Sequence, residues 1–215
     1  MKFITYSHPL FDNTFTLAHN DHEAVIIDPC FDCREMIDDL KKLNITPASI
    51  VITHGHFDHI FGVPQIVAEY PDIRIWMHKG DDDLYKNINE VMKKHGFDLQ
   101  TGDMKDYTPF PESNEFTAAK DITVKAIPVP GHTPGSCFII LYENDKPAAL
   151  FTGDVVYAEG GCGFWEHSDD QKKHNVEMQK FFSLDLPEDL PMFAGHGKTS
   201  VYGKEKAIPR TVPGQ

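Results

Sequence analysis

The stretch "ITHGHFDHIFG", residues 52–62, sets three histidines and one aspartate within six positions, His54 to His59, at the end of the apolar run 48–53. Imidazole nitrogen and carboxylate oxygen are ligands for divalent ions. Core packing gives no reason to collect four of them at the end of a strand. His54 and His56, at i and i+2 of an extended turn, can point to one side. Asp58 and His59 come where the chain turns into a helix. They diverge from the first pair and so suit a second, nearby ion.

Four ligands from one loop leave two ions under-coordinated, so other corners of the chain must supply more. His132 lies in "VPGHTPGS" (129–136), Asp154 in "ALFTGD" (149–154) and His196 in "MFAGHG" (192–197). Each follows an apolar run, and each has glycine beside it, which lets backbone approach closely.

Together H-x-H-x-D-H, Gly-His-Thr-Pro-Gly, Thr-Gly-Asp and Gly-His-Gly resemble the metallo-β-lactamase superfamily, over about residues 3–206. Within it, "GHTPGS" and "GHGKTSVYGKEK" (195–206) are most similar to the glyoxalase II-like, or hydroxyacylglutathione hydrolase-like, branch. The resemblance implies an α/β (α+β) fold, a four-layer αββα sandwich with metals at one rim. It implies one ion on His54, His56 and His132, a second on Asp58, His59 and His196, and Asp154 shared between them. The ions are expected to be zinc, with iron or manganese as alternatives, since His and Asp accept all three.

The chemistry expected of such a site is hydrolysis of a small-molecule thioester, hydroxyacyl-glutathione or a relative, by metal-activated hydroxide. Two ions can lower the pKa of water from 15.7 toward about 7. Asp58 and Asp154 would act catalytically by offsetting metal charge and orienting the nucleophile. A thiolate leaving group, with a pKa of about 8.5, needs no strong acid to depart. An amide nitrogen does, and the sequence offers no clear one.

After Asp154 the glyoxalase II-like pattern has a Gly-Arg-Thr-Asp-like segment, whereas this chain reads "VVYAEGGCGFWEHSDD" (155–170), with Phe164 in the arginine's place. Phe164, Trp165, His167 and Lys198 are expected to line the substrate. Larger glyoxalase II proteins add a C-terminal helical domain that helps hold glutathione, and residues 1–215 read as a single metallo-β-lactamase-fold domain without it. "GGCG" (160–163) also resembles persulfide dioxygenases, which implies an alternative: one iron on His54, His56, His132 and Asp154. A non-catalytic metal-binding module is disfavoured because no ligand is missing.

The 215 residues carry a formal net charge of −13, with 40% hydrophobic and 25% charged residues. That balance argues against a nucleic-acid partner, the superfamily's RNA-processing nucleases included, and against a polybasic membrane surface. No apolar run approaches the roughly 18 residues of a spanning helix, and the N-terminus has no secretory apolar region. Four cysteines are too few for a disulfide scaffold, and the expected location is cytoplasmic. Cys30-x-x-Cys33 has the layout of a redox pair, but small helix-start residues are the default. "HGKTS" fails as a phosphate loop because the required glycine is Met192. Asp28 is either a turn-former or a partner for a ligand histidine. The other histidines read mostly as surface residues.

Strands are expected over 2–6, 14–18, 23–28, 49–53, 73–78, 121–129, 137–143, 148–152 and 191–194, and helices over 34–44, 60–70, 81–95 and 171–184. Residues 99–119 read as a long connection and the tail after Gly203 as irregular.

Overall fold

Alternation along the apolar strands decides the layering, because successive side chains of a strand leave opposite faces. The structure, a computed structural model, describes residues 1–9, 12–163 and 171–210, apart from the Gln171 side chain. One sheet runs in the order β1 (Lys2–His8), β2 (Asn13–His19), β3 (Glu23–Ile27), β4 (Thr46–Val51), β5 (Arg74–Met77), β6 (Thr108–Pro109). The pairs β3–β4, β4–β5 and β5–β6 are parallel. The other sheet holds β7 (Glu115–Ala119), β8 (Ile122–Pro128), β9 (Cys137–Glu143), β10 (Lys146–Gly153), β11 (Pro191–Ala194) and β12 (Ser200–Val201), also in sequence order. It is antiparallel except where β10 meets β11.

In β3, Val25 and Ile27 point toward the second sheet and meet Ile139 and Leu141 of β9 and Phe151 of β10. Ala24 and Ile26 point the other way, toward Met36, Ile37 and Leu40 of α1 (Arg34–Leu43) and Ile60 of α2 (Phe57–Ile60). The same layer takes in Ile66 of α3 (Val63–Glu69), Tyr85 of α4 (Asp82–Lys86) and Met92 of α5 (Ile88–Lys94). On the second sheet's far face, Phe138, Ile140 and Leu150 pack on Met178 of α6 (Gln171–Met178), Phe181 of α7 (Lys180–Ser183) and Tyr202 of α8 (Tyr202–Lys206). Helix, sheet, sheet, helix is the αββα sandwich expected. No helix among the described residues is long and apolar enough to cross a membrane.

Several elements differ from expectation. The expected connection over 99–119 contains β6 and β7. Only Ala118 and Ala119 of β7 are buried, and the outward Glu115 and Thr117 of this edge strand mask its pattern. The tail forms α8, which buries Tyr202 and Glu205 three residues apart. The helix expected over 60–70 is α3, which starts only at Val63, after α2 has ended at Ile60. At Gly62 the backbone packs so tightly on the 29–30 turn that a Cβ would stand 2.1 Å from the Cys30 carbonyl oxygen. The helices expected over 81–95 and 171–184 divide, at Asn87 and Gln179. His19 and His174 are buried rather than surface residues.

Cys30 and Cys33 are free and buried. Burial pushes the Cys33 thiol up to about 12 and the Cys30 thiol higher still, so the pair packs as small apolar residues and supplies no reactive thiolate at neutral pH.

Phe138 is fully buried and meets Phe181 edge-on at 6.1 Å between ring centroids. Phe138→Ala is expected to destabilise the fold by about 3–5 kcal/mol, read as a lower urea midpoint with unchanged slope.

Candidate metal centre

Four chain segments end at one rim of the sandwich. His54 lies three residues beyond β4, His132 four beyond β8, Asp154 one beyond β10 and His196 two beyond β11. The first sheet thus delivers His54, His56, Asp58 and His59, and the second delivers His132, Asp154 and His196. An isolated bridge between Asn13 and His196 and a bond from Thr14 N–H to the Gly195 carbonyl (2.8 Å) tie the two sheets at this rim. Gly195 is obligatory: a Cβ there would stand 2.1 Å from Asp154 Oδ1.

All seven residues are brought together. One potential ligand atom from each of His54, His56, His132 and Asp154 lies within 4.8 Å of the others, and the same holds for Asp58, His59 and His196. Asp154 stands between the sets. Its Oδ2 is 3.4 Å from His132 Nε2, 3.8 Å from His54 Nε2 and 3.1 Å from His196 Nε2, while its Oδ1 is 3.3 Å from His59 Nε2. Asp58 Oδ2 is 3.5 Å from His196 Nε2 and 3.8 Å from His59 Nε2. His132 Nε2 and His56 Nδ1 face each other at 2.9 Å.

The donor set fits divalent cations. His54 Nε2 and Asp154 Oδ1 are buried without a hydrogen-bond partner, a costly state for polar atoms unless something else satisfies them. Burial pushes His54 and His56 well below their ordinary pKa, so both keep lone pairs for a cation. Burial opposes charge on His59 and His196 too, but Asp154 beside them outweighs it and raises both. Burial likewise opposes the Asp154 carboxylate, yet His59 and His196 hold it well below the usual range. A cation binding here would therefore compete with protons on His59 and His196.

An outer layer fixes the cluster. Asp28, in the left-handed region at φ 49°, is both turn residue and histidine partner. It accepts from Thr53 N–H (2.7 Å) and Thr53 Oγ1 (2.5 Å), and its Oδ2 meets His59 Nδ1 at 3.1 Å. That leaves His59 Nε2 to face Asp154.

Sequence reasoning missed four further residues. Asn13 Nδ2 donates to Asp58 Oδ2 at 2.9 Å. Asp81, expected only as the start of a helix, is buried and joins the two histidine loops. It accepts from Gly55 N–H, Gly135 N–H and Thr133 Oγ1, each at 2.7 Å. A Cβ on Gly135 would stand 2.6 Å from its Cγ. The Tyr157 ring lies edge-on to His196 at 5.9 Å. His174 of α6 lies 6.5 Å from the His132 ring, with both its nitrogens unpartnered. Asn13 and Asp81 stand among turn-forming neighbours, the one signal available. Of the residues expected at the substrate, Phe164, Trp165 and His167 lie outside the described residues. Lys198 is exposed on the rim beside His196, paired with Glu159 at 3.2 Å.

The family model described as Metallo-beta-lactamase superfamily matches residues 9–196. The chain belongs to the metallo-β-lactamase superfamily. Hydroxyacylglutathione hydrolase GloC of Haemophilus influenzae is 27% identical over 195 residues, covering 90% of this chain and 89% of that protein. Among solved structures, the BLEG-1 B3 metallo-beta-lactamase is similar with a TM-score of 0.80 and 26% identity, over 95% of this chain and 96% of that one. TTHA1623, solved in a di-iron-bound form, gives a TM-score of 0.78 at 22% identity, over 95% of this chain and 98% of that one, a likeness of fold.

Asp81→Ala strips an acceptor from three donors, each about 1–3 kcal/mol when left buried and unmet. Lower thermal stability is expected, together with metal affinity reduced about 10–100-fold, measured by competition with a chromophoric chelator.

Burial lowers His174 from 6.5 to about 4. Between those values the unfolded chain takes up a proton that the folded chain refuses. This contribution to stability is therefore complete above pH 6.5 and is lost as pH falls toward 4, at up to about 1.4 kcal/mol per pH unit. Urea denaturation across that window should show the slope reduced by His174→Leu.

Proposed function

We propose that the chain is a dinuclear metal-dependent hydrolase of small thioesters, such as a hydroxyacyl-glutathione, working as a single domain over 1–215. The observation that carries the reading is the place of Asp154. One carboxylate stands against two separate histidine sets, with Oδ2 3.4 Å from His132 and 3.1 Å from His196. The 27% identity with Haemophilus influenzae GloC over most of both chains supports the substrate class. Zinc is the expected ion in both places. Free cysteines, three of them buried, fit a cytoplasmic location.

His54, His56 and His132 would hold one ion and Asp58, His59 and His196 the other, with Asp154 within reach of both sets. When bound, the ions supply Lewis acidity, which lowers the pKa of water toward neutrality and polarises a carbonyl. Asn13 keeps Asp58 turned toward His196, and Asp28 keeps the Nε2 of His59 facing the cluster. Asp58 and Asp154 carry the negative charge that offsets the cations and orients the attacking water. A departing thiolate needs no proton donor, which suits a cluster whose acids and imidazoles are committed to ligation. Lys198, on the rim, meets the acidic end of the thiol carrier.

The test is metal content of the purified chain together with hydrolysis of S-lactoylglutathione. Two ions per chain are expected, with turnover lost on chelation. His54→Ala and His196→Ala should each lower kcat/KM by more than about 100-fold, the upper end for residues one layer out. A chain with two ions that leaves the thioester intact contradicts the substrate class. One iron per chain, with oxygen consumed on a persulfide, would replace this reading with the dioxygenase.

A further inference from the structure

The turn that follows Asp154 is gripped by a charge pair with no access to solvent. The side chains of Glu205 and Arg210 are each 0% exposed. Arg210 donates from Nη2 to the Tyr157 carbonyl (3.0 Å) and from Nε to the Gly161 carbonyl (3.1 Å). Glu205 accepts from the N–H groups of Glu159 (3.1 Å) and Gly160 (3.4 Å), and from Ser200 Oγ (2.7 Å). Four backbone groups of one five-residue turn are thus bound to a single ion pair. The turn needs such a restraint, because Glu159, which is not glycine, sits in the left-handed region at φ 59°.

A buried ion pair is a weak device for stability, since apolar residues of like volume are often as good or better. Its strength is geometry: the guanidinium fork fixes two carbonyls in a set direction. What it fixes is the backbone of Tyr157. The Tyr157 ring lies edge-on to His196, 5.9 Å between ring centroids, and its buried hydroxyl lies near enough to Asp154 to feel the carboxylate's charge.

We propose that Glu205 and Arg210 are positioning residues for the Asp58–His59–His196 half of the metal centre, acting through Tyr157. The inference rests on the two-ion reading above. Among the described residues, Arg210 and Glu205 hydrogen-bond to no candidate ligand, so their effect must pass along the turn.

The test uses the full chain with Glu205→Leu and Arg210→Met combined, which removes both charges and avoids stranding one. Arg210→Lys keeps the charge without the fork, and Tyr157→Phe keeps the ring without the hydroxyl. Cobalt(II) titration reads each ion separately, the relevant site being the one that His196→Ala abolishes. In the double variant that site should weaken about 10–100-fold, the range for residues that orient ligands, with the other site unchanged. Arg210→Lys and Tyr157→Phe should give smaller losses at the same site. In the metal-free chain, the imidazole NMR signals of His196 should broaden or move while those of His54 stay.

Unchanged titrations and unchanged His196 signals in variants that fold would overturn the proposal, and so would an equal loss at both sites. If the double variant does not fold, Arg210→Lys and Tyr157→Phe decide by the same readouts. A wild-type chain holding one ion would sink the two-ion reading alone, because the His196 signals still report on the clamp.

Discussion

Five imidazoles and two carboxylates share one largely buried rim, and lone pairs packed that closely repel unless positive charge lies among them. The rest of the architecture answers this constraint. The carboxylates of Asp154 and Asp58 sit where they offset cations, and Asp28 and Asn13 use hydrogen bonds to keep nitrogens and oxygens aimed inward. Without the cations, protons on His59 and His196 supply part of the compensation. The same atoms therefore serve two occupants of different size, which is why the outer layer must be rigid. A ligand free to rotate would follow the proton and lose the ion.

Rigidity comes from each half of the sandwich restraining the other. The H-x-H loop belongs to the first sheet and the His132 loop to the second, and Asp81 binds backbone N–H groups of both. A buried carboxyl that burial pushes upward would be a poor choice for stability alone. It is a good choice where three donors from two loops need one acceptor in a fixed place. The close approaches at Gly195 and Gly135 follow from the same crowding. The rim is dense enough that a methyl group has no room.

The sequence made the fold and the seven-residue cluster legible for a local reason. H-x-H-x-D-H is read at short range, and His132, Asp154 and His196 each follow an apolar strand with glycine alongside. Residues that act only through tertiary contact carry no such mark. Asn13 and Asp81 look like ordinary turn residues until the sheets close over them. His174 lies in "QKKHNVEM", a helix with no apolar face to predict its burial, and its backbone packs closely on Gly131. β7 escaped notice because an edge strand buries only part of one face, so its alternation is diluted by exposed polar residues. Lengths of helix were misjudged where side-chain periodicity continues through a break that the backbone makes, as at Gly62.

Because the seven residues come from both sheets, the cluster spans the seam of the sandwich. Any cation bound there is a cross-link between the two halves, and the folded state gains stability with the free ion concentration. Opening of the seam, the step that exposes the inter-sheet core to proteases, is then coupled to ion supply. A cell short of the ion would lose this protein by turnover as well as by idleness, and its abundance would track the metal pool.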